Sequence, residues 1–264
     1  MTRSTPSRPL AWLQPGEPFP PVTDAWTDDD PAPGLLAAGG VLDVPTLLKA
    51  YRQGIFPWFS DGQPPLWWST APRMVLSVSE FKLHLSLKKQ LRALLKAGRL
   101  EIRIDHDFRA TVQACATTPR TDQEGTWIVE DMQRAYGKLH DAGHAHSIEA
   151  WVDGRRCGGL YAVSIGHMVF GESMFSHASN GSKLALCALV ALCRAHHMPI
   201  IDCQQQTPHL ARLGARPWPR QAFTEALQGL TQQSPAPWVF DPLYWNSIFS
   251  TLPTACDAPQ RPAL

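Results

Sequence analysis

The sequence contains no C-x-x-C pair. Its six cysteines, Cys115, Cys157, Cys187, Cys193, Cys203 and Cys256, are scattered along 264 residues. A disulfide framework or a zinc site is therefore not expected, and reduced thiols are. Long apolar runs are missing too. The longest, Leu184–Cys193, is too short to span a bilayer. No leading segment reads as a signal peptide, because Arg3 and Arg8 are followed by prolines and not by an apolar stretch. A soluble, cytoplasmic protein with no membrane partner is the expectation. Net charge is nearly absent, at +1 with a pI near 7.7. Bulk charge thus says nothing about nucleic acid, and only local charge can. One local absence stands out. Between Glu80 and Glu101 there is no acid, while Lys82, Lys88, Lys89, Arg92, Lys96 and Arg99 fall in that window. Internal repeats are lacking, as are low-complexity segments beyond the proline-rich ends.

What is present is a chain that is 44% hydrophobic, enough for a sizeable core in one large or two small domains. Ten tryptophans are many for this length, and some are expected to line a site. Residues 1–34 are rich in proline and acid and are expected to form no regular elements. A short helix is predicted over Thr46–Phe56, stopped by Gly54. An aromatic loop follows, then a strand at Met74–Leu76, with a domain boundary near Thr70–Ala71. Ser86–Gly98 reads as an amphipathic helix, with Leu87, Leu91, Leu94 and Leu95 on one face and the basic residues on the other. "LEIRID" alternates as a strand, and Ile128–Gly143 reads as a helix. "HSIEAWVDGRRCGGLYAVSIGHMVFGESMF" reads as three strands turning at Asp153–Gly154 and Gly166. Ser182–His197, capped by Ser182, is apolar nearly all round and should be buried. Pro199 ends it, and Ile200–Ile201 begin another strand. A short helix or turn at "TPHLARLGA" and a helix at "RQAFTEALQGL" close the pattern.

The predicted architecture is α+β, a mixed sheet flanked by helices. Its strand–buried helix–strand portion is similar to the topology of GNAT acyl-CoA N-acyltransferases.

Two short motifs can carry chemistry. In "FGESMFS", Gly171 permits close backbone approach. Glu172 is either a solvated carboxylate on an edge strand or a carboxylate beside an apolar pocket. In "IIDCQ", side-chain alternation puts Asp202 and Gln204 on one face. Either Asp202 caps the turn before Thr207–Pro208, or it accepts from the Gln204 carboxamide and orients it. An amide is a very weak base, so such a pair would position and polarise a reactant. Trp127 and Tyr136 in "GTWIVEDMQRAY" line a pocket or pack in the core. Trp58, Trp67 and Trp68 stack on a base or seal a domain interface. His144 and His146 lack a nearby carboxylate at ligand spacing, so no metal is expected. The basic run is a solvated helix face or a phosphate-contacting one.

Taken together, "YRQGIFPWFSDGQPPLWWSTAPRMVL", "EGTWI", "GHAHSIEAW", "GGLYAV", "GESMFS" and "IDCQ…HLARLGA" resemble the bacterial leucyl/phenylalanyl-tRNA–protein transferase family. The matching blocks run in order from about Gly39 to Arg220. The resemblance implies a small N-terminal domain, placed at residues 1–71, and a GNAT-like catalytic domain with a tail, placed at 72–264. It implies transfer of Leu or Phe, less readily Met, from aminoacyl-tRNA to proteins that begin with Arg or Lys, within the N-end rule pathway. It implies neither acetyl-CoA nor metal, hence no cofactor. By the same resemblance the catalytic pair falls on Asp202 and Gln204, and the pocket glutamate on Glu172. Trp127 and Tyr136 fall near the aminoacyl-adenosine end, and Trp58 falls on the family's N-domain tryptophan. Leu160, Val169, Phe170 and Gly171 fall on the amino-acid pocket. The tRNA surface is expected on Lys82, Lys88, Lys89, Arg92, Lys96 and Arg99. Two other readings remain at this stage: a CoA-dependent N-acyltransferase, which would need a Gly-rich turn where "HASNGSKLA" stands, and a binding module without catalysis.

Overall fold

A computed structural model describes residues 9–118 and 128–250. Two sheets organise the chain. The first has four strands in the order β1-β2-β4-β3, built from β1 (Ala11–Leu13), β2 (Leu35–Gly39), β3 (Phe56–Pro57) and β4 (Leu66–Trp68). Helix α1 (Val44–Arg52) links β2 to β3. Asp43 caps it by accepting from the Thr46 N–H, and Gly54 ends it at φ 75°. The N-terminal stretch thus departs from expectation. Ala11–Leu13 pairs in parallel with Ala37–Gly39, and Val22–Asp24 form a 3-10 turn. Its prolines flank the edge strand without interrupting it, so the ladder keeps its N–H groups.

The second sheet has seven strands in the order β11-β5-β10-β9-β8-β7-β6. These are β5 (Arg73–Ser77), β6 (Leu100–Ile104), β7 (Ala145–Val152), β8 (Arg155–Ile165), β9 (Met168–Ser176), β10 (Ile200–Gln204) and β11 (Arg216–Trp218). All neighbours are antiparallel except β9 and β10, which run parallel. The β7–β8 turn is the predicted Asp153–Gly154, both with positive φ, as a two-residue hairpin of this twist requires.

Side-chain alternation divides the core between the two faces of this sheet. Met74, Leu76, Leu160, Ala162, Val169 and Ile201 pack on one side. There they meet α2 (Leu85–Lys96), the buried α5 (Gly181–Ala195) and α8 (Trp245–Phe249). Val75, Tyr161, Val163, Phe170 and Ile200 pack on the other. They meet α3 (Phe108–Thr117), α4 (Glu130–Asp141), α7 (Arg220–Thr231) and the first sheet's apolar residues. Short α6 (Pro208–Arg212) follows β10, capped by Thr207. Helix α3 has no counterpart in the sequence reading. The cap of α5 also differs: Asn180, at φ 64°, precedes the helix, and the Ser182 N–H is taken by Ser176 Oγ at 2.9 Å. No helix among the described residues is long and apolar enough to cross a membrane.

Candidate active site

Two irregularities in neighbouring strands open the sheet. The parallel pairing of β9 with β10 runs through Ile201–Val169 and Asp202–Phe170. Just past it both strands bulge. On β9 the register against β8 jumps from Gly171 to Ser173 and leaves Glu172 as the extra residue. On β10 the register against β5 jumps from Asp202 to Gln204 and leaves out Cys203, with Gln204 at φ 60°. Bulges of this kind re-aim side chains and end pairing. Here they open a cavity of about 680 Å³ whose walls include Phe56, Trp58, Leu76, Leu160, Gly171, Glu172, Met174, Leu186, Ile201, Gln204 and Leu210.

At one end of this cavity lies a network of polar atoms. Glu172 Oε1 accepts from the Tyr51 hydroxyl at 2.7 Å and from Gln204 Nε2 at 3.0 Å. Glu172 Oε2 accepts from the Tyr136 hydroxyl at 2.8 Å. The two hydroxyls are themselves 2.7 Å apart. Three oxygen–oxygen contacts therefore close a triangle, and the two tyrosines bring only two protons. With Glu172 ionised, one of the contacts has no proton. Protonation of the carboxyl fills all three. Burial points the same way. It pushes the Glu172 carboxyl up to about 7, against the lowering effect of the tyrosine hydrogen bonds and with a smaller upward push from Asp202. Both tyrosines are held well above their ordinary range, first by burial and then by the Glu172 charge, so they stay protonated.

Asp202 lies behind this network and is fully buried. Its role differs from the expected one. It does not hold the Gln204 carboxamide. Instead Oδ1 accepts from the Gln204 backbone N–H at 2.9 Å. Both oxygens also receive the Arg73 fork, from Nε at 2.9 Å and Nη2 at 2.7 Å. The bulge is the reason: it breaks the alternation that would have placed both side chains on one face. Arg73 is fully buried as well, with its guanidinium 4.7 Å from the Phe56 ring centre and 4.9 Å from that of Phe223. Thr70 Oγ1 donates to the Gln204 carbonyl at 3.0 Å. The backbone of Gln204 is thus pinned at both ends. Its carboxamide is turned by Glu172, and the carboxamide oxygen is left for an incoming donor.

The other expected residues separate into wall and support. Trp58, Leu160, Gly171, Glu172 and Gln204 line the cavity. Tyr136 is buried and reaches it through Glu172. Val169 and Phe170 do not line it. Both are fully buried, Val169 among the core residues of the α5 side and Phe170 against the Tyr51 ring at 4.8 Å. Leu76, Met174, Leu186, Leu189, Ile201 and Leu210 supply apolar wall in their place. Trp127 lies outside the described residues. Of the three clustered tryptophans, Trp67 is buried in the first sheet's core and donates to Gly39 O at 2.9 Å. Trp68 donates to Trp58 O at 2.6 Å and packs its ring on Trp58. Only Trp58 faces the cavity. On α2, Lys89, Arg92 and Lys96 are exposed and Lys88 is half-buried, and Lys82 and Arg99, which flank the helix, are exposed. Arg99 pairs with Asp153 at 2.8 Å, and Arg92 lies over the Phe249 ring at 5.0 Å.

Tyr51 and Arg73 are the residues that the sequence reading missed. Their partners lie more than a hundred positions away, at Glu172 and Asp202. Local pattern carries no trace of such pairs, although a charged Arg73 at the head of an apolar strand was a usable signal.

Comparison with known proteins shows the family. Residues 75–228 match the family model described as leucyl/phenylalanyl-tRNA protein transferase, and residues 40–71 match the model for its N-terminal domain. A leucyl/phenylalanyl-tRNA–protein transferase of Polaromonas sp. (strain JS666) is 56% identical over 92% of this chain and 95% of its own. One from Albidiferax ferrireducens is 55% identical over the same shares, 92% and 95%. Among solved structures, an aminoglycoside N-acetyltransferase AAC(6')-Iy in complex with CoA aligns at 18% identity and a TM-score of 0.28, covering 54% of this chain and 93% of that one. The two family models and the curated relatives together span the elements that build the cavity, and the chain belongs to the leucyl/phenylalanyl-tRNA–protein transferase family.

Proposed function

We propose that this protein moves Leu or Phe, less readily Met, from aminoacyl-tRNA to the α-amino group of proteins that begin with Arg or Lys. The product would enter N-end rule degradation in the cytoplasm. The observation that carries the reading is the Gln204 carboxamide, oriented by Glu172 at one end of a largely apolar cavity, in a chain of this family. The ester on the tRNA is already activated, so the step is aminolysis. The amine nitrogen bonds to the ester carbonyl carbon, the bond to the ribose oxygen breaks, and a proton passes from nitrogen to that oxygen. An α-amino group has a pKa near 8, so a fraction is neutral at cellular pH and positioning can do much of the work. Gln204 Oε1 accepts from the attacking amine. Asp202 and Arg73 act through the backbone, fixing the bulge that aims Gln204. Leu160, Leu76, Met174 and Leu186 surround the amino-acid side chain, Trp58 faces the nucleoside, and the exposed lysines of α2 meet tRNA phosphates. The break between the two sheets, from Trp68 to Arg73, supports a division into residues 1–71 and 72–264.

A CoA-dependent acyltransferase fits less well. It would seat a pyrophosphate at the start of α5. Here the Ser182 N–H that such a site would use is already taken by Ser176 Oγ, and Gly181 packs so closely that a Cβ there would lie 2.0 Å from Cys157 O. The decisive assay combines radiolabelled Leu-tRNA with an Arg-starting peptide and omits CoA. Transfer is expected. Binding without transfer, or transfer only with acetyl-CoA, would overturn the reading.

Glu172 gives the acceptor step its pH dependence. The ionised carboxylate attracts a cationic first residue, and Oε2 keeps a lone pair for it. Because burial raises the carboxyl to about 7, that attraction is present above pH 7 and fades as pH falls through it. KM for an Arg-starting peptide is therefore expected to rise below pH 7. Glu172→Gln should flatten this rise while leaving the pH dependence of the amine itself. An equally steep rise in the variant would remove Glu172 from acceptor recognition.

The α2 lysines are tested by salt. Lys88→Ala/Lys89→Ala is expected to weaken all aminoacyl-tRNAs alike and to reduce the slope of log K against log salt by about one to two. An unchanged slope would place the tRNA elsewhere.

A further inference from the structure

The mouth of the cavity carries positive charge that the expected tRNA surface does not include. His209 lines it, and so does Ser182 at the start of α5. Lys183 follows Ser182, and Arg212 stands three residues beyond His209 on α6, an i,i+3 step that keeps the two on one side of the helix. Burial first, and then the charges of Lys183 and Arg212, hold the His209 ring below its ordinary pKa, so it is a neutral donor at pH 7. The ion pairs of the described residues run elsewhere, as in Arg99–Asp153, Arg109–Asp141 and Arg216–Glu80, and none takes Lys183, His209 or Arg212. Lys183 Nζ has only a neutral partner, Asn180 Oδ1, at 3.0 Å.

This group is also tied to the basic helix at two points. Asn180 Nδ2 donates to Gln90 Oε1 at 2.8 Å, and the His84 ring lies 3.0 Å from Arg212 O. Gln90 belongs to α2, and His84 precedes its first turn. Two uncompensated cations and a neutral imidazole therefore stand beside the cavity, joined to α2 and its N-cap by those two contacts.

We propose that Lys183, His209 and Arg212 form a subsite for the phosphodiester that joins the last two nucleotides of the donor strand. The inference rests on the transferase reading and deepens it. An aminoacyl ester in the cavity places its nucleoside at the mouth. The 5′ phosphodiester is then the first charged group outside. Two side-chain cations with an N–H donor match one such anion, where α2 meets the more distant phosphates.

The test compares two small donors, the leucyl ester of adenosine, which has no phosphate, and that of the dinucleotide CpA, which has one. Wild type is expected to favour the dinucleotide. In Lys183→Ala/Arg212→Ala the ratio of kcat/KM for dinucleotide over nucleoside should fall about tenfold. The nucleoside donor reports in the same assay that the variant is folded. Lys88→Ala/Lys89→Ala should leave the ratio as in wild type and raise KM only for full tRNA. An equal ratio in wild type and the Lys183/Arg212 variant would overturn the subsite. Wild-type protein that fails to transfer even from Leu-tRNA would instead remove the reading on which it rests.

Discussion

Gln204→Ala is expected to slow Leu transfer by about a hundredfold in a single turnover, with little change in thermal stability. The distinction follows from what holds each part of the residue. The backbone at 204 is fixed by groups outside its side chain, the Asp202 carboxylate on the N–H and Thr70 on the carbonyl. Those contacts survive truncation, and alanine meets the same φ of 60° that glutamine already bears. What is lost is an oriented acceptor. In its absence the amine enters without a partner to fix its direction toward the ester, and the advantage of a prealigned attack disappears. Single-turnover conditions separate this from product release. Gln204→Glu tests the orientation itself. A carboxylate there cannot donate to Glu172, and it sets two acids at the 3.0 Å spacing now bridged by an N–H. Activity should fall at least as far as in the alanine variant. A wild-type rate in Gln204→Ala would remove this residue from the reaction.

Gln204 also shows what local sequence can and cannot reveal. The strand–turn–strand run from Ala145 to Ser176 was legible because period-2 alternation and two turn signals agree along it. The apolar helix Gly181–Ala195 was legible for a similar reason: nothing on it suits water. That Glu172 and Gln204 face one cavity came from the motifs and the family resemblance. How they meet did not. Alternation predicts that Asp202 and Gln204 share a face, yet bulges on both strands break the alternation at the site. The resemblance put Phe170 on the pocket, yet its side chain points to the face opposite Leu160 and Ile201, as alternation with Val169 requires. Helix α3 was missed because Thr111, Val112 and Thr117 are weak helix formers, and its packing on β8 and β9 outweighs that weakness. Tyr51 reaches Glu172 across 121 positions, a contact that only the folded chain creates.

Arg73→Met should produce the largest loss of stability in the site, about 3–5 kcal/mol, and should abolish measurable transfer. Arg73 and Asp202 are both fully buried, and the fork satisfies both carboxylate oxygens. Removing the cation strands a negative charge in the core, without the two N–H donors that satisfied it. Lysine is no substitute. It offers a point charge where the site is built for a planar fork between two phenyl rings. Arg73→Lys is expected to recover part of the stability and little of the activity. A purely structural ion pair would give the same single-variant result, so the double variant Arg73→Met/Asp202→Leu separates the roles. With both charges gone, the desolvation cost is gone as well, and apolar replacements of a buried pair are often neutral or stabilising. Urea unfolding should therefore show most of the stability restored. Transfer should remain low, because the Gln204 N–H has lost its acceptor and the bulge that aims the carboxamide is no longer held. If activity returns together with stability, the pair only supports the fold and does not position Gln204.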